Sequence, residues 1–268
     1  MAPDSPHSRI PVLMYHRVGA VASAAEQKYC VAPDLFRAQM LALAGQGMRP
    51  CRLADFLAWL LAGAPAAGGQ FLLTFDDGFL GVYEHAFPVL HDLGWPFAVF
   101  VVSARVGETD TWTAAQFPTA RAHPLLGRPE MVAMQRSGVS FQSHTRTHPD
   151  LTSLGDAALE EELAGSKREL ESLLDAPVDC LAYPFGKLDD RVAAAARRAG
   201  YRAAFSVQPG FNRPGTDPFR IRRLDVFGSD SPAALLRKLT LGSNDGSWSH
   251  AARYYVGRLR RRLVGTPV

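Results

Sequence analysis

The sequence predicts an α/β fold built from parallel strand–helix–strand units, and three observations carry that prediction. Short runs rich in β-branched and aromatic residues recur along the chain. Longer segments with apolar residues at helical spacing lie between them. No repeat and no linker interrupts the alternation. A closed barrel and an open doubly wound sheet both satisfy the pattern, and in both the reactive side chains gather at the carboxyl ends of the strands.

In chain order, the spacing predicts a strand over 11–15, helices over 33–45 and 53–61, a strand over 71–75 and a helix over 82–93. A strand over 96–102, a helix over 129–136 and a strand over 139–142 follow. Next come a helix over 156–174, a strand over 180–183, a helix over 189–199 and strands over 203–207 and 220–226. A helix over 231–241 ends the series. Asp156 is the expected N-cap of its helix, with Glu160 and Glu161 close behind. Gly200 is the expected stop of the Ala/Arg-rich helix before it. Residues 210–218, with two glycines and two prolines, read as a loop rather than a domain boundary, because a strand and a helix follow at once.

The 268 residues suffice for one large domain, and 47% hydrophobic with 21% charged residues is ordinary globular composition, which excludes disorder, collagen and coiled coil. Cys30, Cys51 and Cys180 are scattered and odd in number, and no Cys-x-x-Cys occurs. Neither a disulfide framework nor a cysteine-based zinc site is indicated, and a reducing compartment fits best. The start of the chain lacks a signal-peptide pattern, and the longest apolar stretch, 56–69, is broken by Pro65 and glycines, short of the roughly 18 apolar residues a membrane span needs. The expected location is the cytoplasm. Net charge is +3, but 251–268 holds five arginines and no acid, which leaves the rest of the chain slightly acidic. No global basic field for nucleic acid is present. The basic end, 247–268, is expected to be a terminal helix or tail. It either docks its apolar face on the domain or makes peripheral contact at the inner membrane face through 251–268.

Two predicted strands end in chemistry. The 71–75 strand runs into Asp76, Asp77 and Gly78. An Asp-Gly pair is also a common turn, but adjacent acids at a strand end can divide the roles of metal ligand and proton acceptor. The 139–142 strand leads to His144 and His148, whose i, i+4 spacing would set both imidazoles on one side of a helical turn. Together these strand ends offer Asp, His and His, three ligands that leave room for water and substrate as a hydrolytic metal site requires.

These motifs resemble those of the polysaccharide deacetylases of the NodB-homology type (carbohydrate esterase family 4). Residues 74–78 (Thr-Phe-Asp-Asp-Gly) match the first family motif and 144–148 (His-Thr-Arg-Thr-His) the second. Residues 182–186 (Ala-Tyr-Pro-Phe-Gly) are similar to the third, which ends in Pro-aromatic-Gly. The resemblance runs from about 11 to about 226. It implies a single distorted (β/α) barrel of about seven parallel strands, spanning 1–246, that removes N-acetyl groups from amino sugars with a divalent metal ion, Zn²⁺ being the expected one. It also implies that Asp76 is the general base, that Asp77, His144 and His148 are the metal ligands, and that the Phe185 N–H meets the oxyanion.

Two departures from the family pattern matter. Asp179 stands where the third motif usually opens with an arginine that steadies the base, and Arg223, at the end of a later predicted strand, is the expected substitute. The late histidine motif that supplies the general acid is missing, and His250 is the only late histidine. His16, which ends the first predicted strand, resembles the acid of the subgroup in which that histidine lies near the N-terminus, as in bacterial exopolysaccharide deacetylases. His7, His85, His91 and His123 read as surface or helix residues, and Trp112 as either a sugar-stacking or a core residue. The expected partner is an N-acetylated glycan or lipid-linked sugar. The alternatives are another hydrolase on the same scaffold (a deformylase, a purine-pathway amide hydrolase or an O-acetyl esterase) and a catalytically silent carbohydrate-binding protein.

Overall fold

A computed structural model describes residues 9–21, 26–113 and 121–253 of the chain. The expected tail 247–268 therefore lies mostly outside the described residues, as does His7. Seven parallel strands form the main sheet: β1 (Val12–Tyr15), β2 (Gln70–Phe75), β3 (Ala98–Val101), β4 (Ser140–Ser143), β5 (Cys180–Ala182), β6 (Ala203–Phe205) and β7 (Leu224–Asp225). Their order is β7-β1-β2-β3-β4-β5-β6, and Arg49–Pro50 adds a short parallel strand beside β2. This is the expected distorted barrel.

The expected strand over 220–226 divides. Ile221 bridges Phe205 of β6 in parallel, whereas Leu224 and Asp225 pair with Leu13 and Met14 of β1. One segment thus crosses from the last strand to the first, with Arg223 at the crossing. The cause is local: the Asn212 side chain receives the Arg222 N–H and donates to the Arg222 carbonyl, taking the bonds that a continuous ladder would have used.

The helices are α1 (Pro33–Gly45), α2 (Leu53–Ala62), α3 (Phe87–Asp92), α4 (Arg128–Arg136), α5 (156–174), α6 (Asp190–Arg198) and α7 (Pro232–Leu241). The expected helix over 82–93 opens with a wide π turn, Val82–Ala86. Pro88 has no N–H to return to Glu84, so the regular spacing cannot hold there. Gly155, not Asp156, caps α5, and it makes no side-chain cap bond. Asp156 instead sits in the first turn, where the helix dipole favours a carboxylate, and pairs with Arg191 at 3.1 Å. Gly200 does follow α6 with φ +86°.

Alternating strand residues divide into two buried layers. Leu13, Tyr15, Leu73, Phe75, Val99 and Val101 face outward against Phe36, Met40 and Leu90 of the surrounding helices. Val12, Leu72, Ala98, Phe100, Ala182 and Phe205 face inward, and Phe56, Leu57 and Leu60 of α2 pack against them. Burial on both faces explains why the strands read as continuous apolar runs. The parity of Leu72 and Thr74 carries on to Asp76 and turns its carboxylate toward the barrel interior. All three cysteines are buried and free. No helix among the described residues is long and apolar enough to cross a membrane.

Helix α7 is held by a buried ion pair. The Lys238 ammonium, 1% exposed, donates to Asp230 Oδ2 at 2.5 Å and to the Asp225 carbonyl at 3.0 Å. Asp230 Oδ2 also accepts the Phe227 N–H, and Gln39 of α1 donates to the Asp230 carbonyl while accepting from the Tyr15 hydroxyl. Removing one member of such a pair strands the other, at a cost of about 3–5 kcal/mol. Lys238→Met should lower unfolding free energy by that order in chemical denaturation. Adding Asp230→Asn should recover part of the loss; a double variant no more stable than the single would contradict the pairing.

Candidate active site

The turn after β2 builds half of the site. The Asp76 N–H continues the ladder to the Tyr15 carbonyl, and then Asp77 and Gly78 both turn left-handed, with φ 71° and 76°. An aspartate tolerates that region better than most residues, and glycine enters it freely. The Asp-Gly pair is therefore both turn and site. Asp76 is clamped by Arg223: Nη1 meets Oδ1 at 2.6 Å and Nη2 meets Oδ2 at 2.8 Å. Arg223 is fully buried, donates through Nε to the Ser206 carbonyl, and lies against the rings of Phe100 and Phe205. The expected substitution of Arg223 for the missing arginine thus corresponds to a bidentate contact, while Asp179 pairs elsewhere, with Arg202. Burial pushes the Asp76 carboxyl up, but Arg223, His144 and His16 together outweigh it and hold it below the usual carboxylate range.

The turn after β4 builds the other half. The His144 N–H bonds the Val101 carbonyl, and its Nδ1 lies 2.8 Å from the Ala182 carbonyl, so Nδ1 carries the proton and Nε2 is left as a ligand atom. Residues 144–148 are not helical, contrary to the reading of the i, i+4 spacing. Thr145 and His148 take φ of 68° and 65°, and the turn is fastened from several sides. Thr145 receives from Ser103 and donates to Ser143 Oγ, His148 N–H donates to Thr145 Oγ1, and the N–H groups of Arg146 and Thr147 both donate to Glu162. Glu162 belongs to a second π turn, Glu161–Gly165, inside α5.

His144 Nε2 and His148 Nε2 each lie 3.3 Å from Asp77 Oδ1. Ligand atoms about 2.0–2.1 Å from a common ion stand roughly 3.3 Å apart in a tetrahedron, so this donor set fits a divalent cation. All three residues are buried, and their ligand atoms lie within 4.8 Å of one another. Burial pushes the Asp77 carboxyl up, but the neighbouring imidazoles of His144 and His148 outweigh it and hold it well below the ordinary range.

A cavity of about 370 Å³ opens over these groups. His16 lines it, its ring 4.9 Å from that of Tyr29, beside the Asp225 carboxylate at the end of β7. Phe185 lines it too, 41% exposed, at a strained φ of 58°. The Phe185 N–H has no hydrogen-bond partner among the described residues. Next to it, Gly186 has φ +68°, and a Cβ there would meet Val207 at 2.1 Å. His250 lies outside the cavity, 3.6 Å from Asp245. Trp112 is 8% exposed and stacks on His148 with ring centroids 4.3 Å apart, so it faces a site residue from the cavity wall. His123, expected as a surface or helix residue, instead lines the cavity, with Nε2 3.8 Å from Glu26. Asp225 could have been found at the carboxyl end of the expected strand 220–226. No periodic signal marked Tyr29 or His123, which reach the wall through irregular chain.

One prediction follows from the Asp76–Arg223 pair. Because the folded-state pKa of Asp76 is lowered, its contribution to stability is complete above the unfolded value of about 3.9 and is lost as pH falls through the folded value. Asp76→Asn should therefore flatten the acid limb of an unfolding curve recorded below about pH 4, while being less stable than wild type at neutral pH. An unchanged acid limb would show that the clamp does not stabilise the charged form.

The sequence was compared with protein families, and a model described as polysaccharide deacetylase matches residues 64–204. Among curated proteins, YxkH of Bacillus subtilis, named for the same family, is 26% identical over 227 residues, 85% of this chain and 75% of that protein. A poly-beta-1,6-N-acetyl-D-glucosamine N-deacetylase of Staphylococcus aureus is 23% identical over 221 residues, 79% of this chain and 72% of that protein. Among solved structures, the Streptococcus pyogenes deacetylase PplD in complex with acetate is similar with a TM-score of 0.75 and 25% identity, covering 87% of this chain and 99% of that one. The family match spans just over half of the chain and includes the Asp76–Asp77 and His144–His148 turns, and the chain belongs to the polysaccharide deacetylase family of the NodB type.

Proposed function

We propose that this protein hydrolyses N-acetyl groups of amino sugars in a glycan, with a divalent metal ion, Zn²⁺ in this reading, held by Asp77, His144 and His148. The observation that carries the proposal is the juxtaposition in one cavity of an Asp-His-His ligand set with a carboxylate locked by a buried arginine. Support for an amino-sugar substrate comes from the Staphylococcus aureus relative, whose name specifies an N-acetylglucosamine polymer.

When bound, the ion would supply Lewis acidity toward the amide carbonyl and a lowered pKa for water. The protein's own groups divide the remaining work. Asp76 stays ionised at working pH. Arg223 occupies one lone-pair direction on each of its oxygens, which leaves others to take the proton of the attacking water. The Phe185 N–H donates to the developing oxyanion, a type of bond whose removal costs about 3–4 kcal/mol of activation energy. His16, across the cavity, gives its proton to the departing sugar nitrogen, so that an amine leaves rather than an amide anion. The products are acetate and the free amino sugar.

Acetate release from a panel of N-acetylated oligosaccharides and lipid-linked sugars tests the reading. Turnover should vanish with a chelator and return with added Zn²⁺; release of formate or of ester-derived acetate alone would point to another hydrolase. His144→Ala and His148→Ala should lose bound metal by elemental analysis, whereas Asp76→Asn should keep metal and lose nearly all turnover. Full metal occupancy in both histidine variants would refute the ligand assignment.

His16→Ala should lower kcat on amides by about 10²–10⁴ with metal affinity intact. Esters with good leaving groups should suffer far less, because they need little protonation. Equal damage to both substrate types, or none to either, would remove His16 from the acid role.

A further inference from the structure

We propose that Trp112 is the positioning residue for His148, and that ring stacking replaces the hydrogen bond which ordinarily orients a metal-binding histidine. The two histidines of the site are held differently. A histidine that binds metal through one nitrogen normally donates the other N–H to a carboxylate, a carbonyl or water, which fixes the ring and raises its basicity. His144 obeys this rule through Nδ1 and the Ala182 carbonyl. His148 does not: its Nδ1 is buried and has no hydrogen-bond partner among the described residues, and the residue is only 7% exposed.

What touches His148 instead is aromatic. The Trp112 indole lies over the imidazole at 4.3 Å with an interplanar angle of 28°, and the Phe185 ring meets it edge-on at 4.7 Å and 71°. Among the described residues the indole has no polar anchor of its own, since Nε1 is also buried without a partner there. Its place is set by packing with Phe79, Val102 and Leu125 in a small cluster separate from the main core. Trp112 and Leu125 of that cluster lie on segments tied to the Asp77 turn itself: the Leu126 N–H bonds the Gly78 carbonyl, the Leu80 N–H bonds the Pro124 carbonyl, and the Leu125 N–H bonds the Glu108 carbonyl. The Asp110 carboxylate closes its base by accepting from the N–H groups of Thr113 and His123. Trp112 and Asp77 thus share one framework, and the stack sets the distance from His148 Nε2 to Asp77 Oδ1. Without the indole plane the imidazole can rotate about its outer bond, because among the described residues no hydrogen bond to Nδ1 resists it. The Trp112 role is thus neither a sugar platform nor plain core filling.

The proposal rests on the reading of Asp77, His144 and His148 as metal ligands, and the test separates the two. Protein stripped with a chelator is titrated with Zn²⁺ against a chromogenic competitor for wild type, Trp112→Phe and Trp112→Leu, and the melting temperature of each stripped protein is recorded. Trp112→Leu should bind Zn²⁺ about 10–100-fold more weakly while its stripped form still melts cooperatively, and Trp112→Phe, which keeps an aromatic plane, should stay within a few-fold of wild type. The chain has four tryptophans, so indole emission gives a second measurement should the leucine variant fail to fold. Saturation with Zn²⁺ should change wild-type emission, and Trp112→Phe should abolish that change. Wild-type affinity in a folded Trp112→Leu, an equal loss in Trp112→Phe, or an emission change that survives Trp112→Phe would each overturn the proposal while leaving the metal site standing. Failure of wild type itself to bind Zn²⁺ would overturn the metal reading and this one with it.

Discussion

The bidentate contact between Arg223 and Asp76 is the interaction on which the rest of the structure turns. Two fully desolvated charges are tolerable only when each is matched and the remaining donors are satisfied. Here the guanidinium gives two bonds to the carboxylate and a third to the Ser206 carbonyl. Arg223 stands where one segment leaves β6 and joins β1, and Asp76 stands at the end of β2. The same contact therefore ties the segment that crosses from β6 to β1 onto the end of β2 and aims the carboxylate. Structure and chemistry are coupled at this point, and neither can be altered alone.

Around that pair the backbone is bent in a way that ordinary residues avoid. Among the described residues, the non-glycine residues with positive φ are Asp77, Thr145, His148, Phe185 and, at the end of α5, Asp175. All but the last belong to the site. Left-handed residues cost of order 1 kcal/mol or more, and they persist where the surroundings hold them. The surroundings do hold them: Glu162 and Ser143 fasten the His144–His148 turn, and the residues before and after Asp77 continue hydrogen bonding to Tyr15 of β1 and to Leu126. Side chains on such turns project from the ends of the strands into one cavity, where a regular strand or helix would have sent them apart.

The site is asymmetric in how it is supported. His144 and Asp76 are fixed by directional polar contacts, whereas His148 is fixed by aromatic surfaces. Polar contacts set both position and charge state, while ring packing sets position alone. The π turn in α5 illustrates how far the scaffold bends to serve this end, since it presents Glu162 to two consecutive N–H groups of the histidine turn.

Much of this was legible in the chain because it is local. Strand and helix periods, the Gly200 stop and the residues of the Asp76–Asp77 and His144–His148 turns are encoded within a few positions of each other, where spacing and side-chain type carry the signal. The errors were local as well: His144 and His148 at i, i+4 look helical, yet the turn hydrogen bonds of Ser143, Thr145 and Glu162 outcompete a helix. The i, i+4 spacing and the family resemblance named ligands, a base and Arg223 beside it, but only the folded chain decided the geometry of their support. Arg223 and Asp76 are 147 positions apart, and nothing in the residues between them states that one will bind both oxygens of the other. The stacking of Trp112 on His148, the place of His123 in the wall and the approach of His16 to the cavity likewise depend on how separate strand ends and an aperiodic excursion pack together. Pairings of that kind are set by tertiary packing, which the local periodicity of a single sequence does not encode.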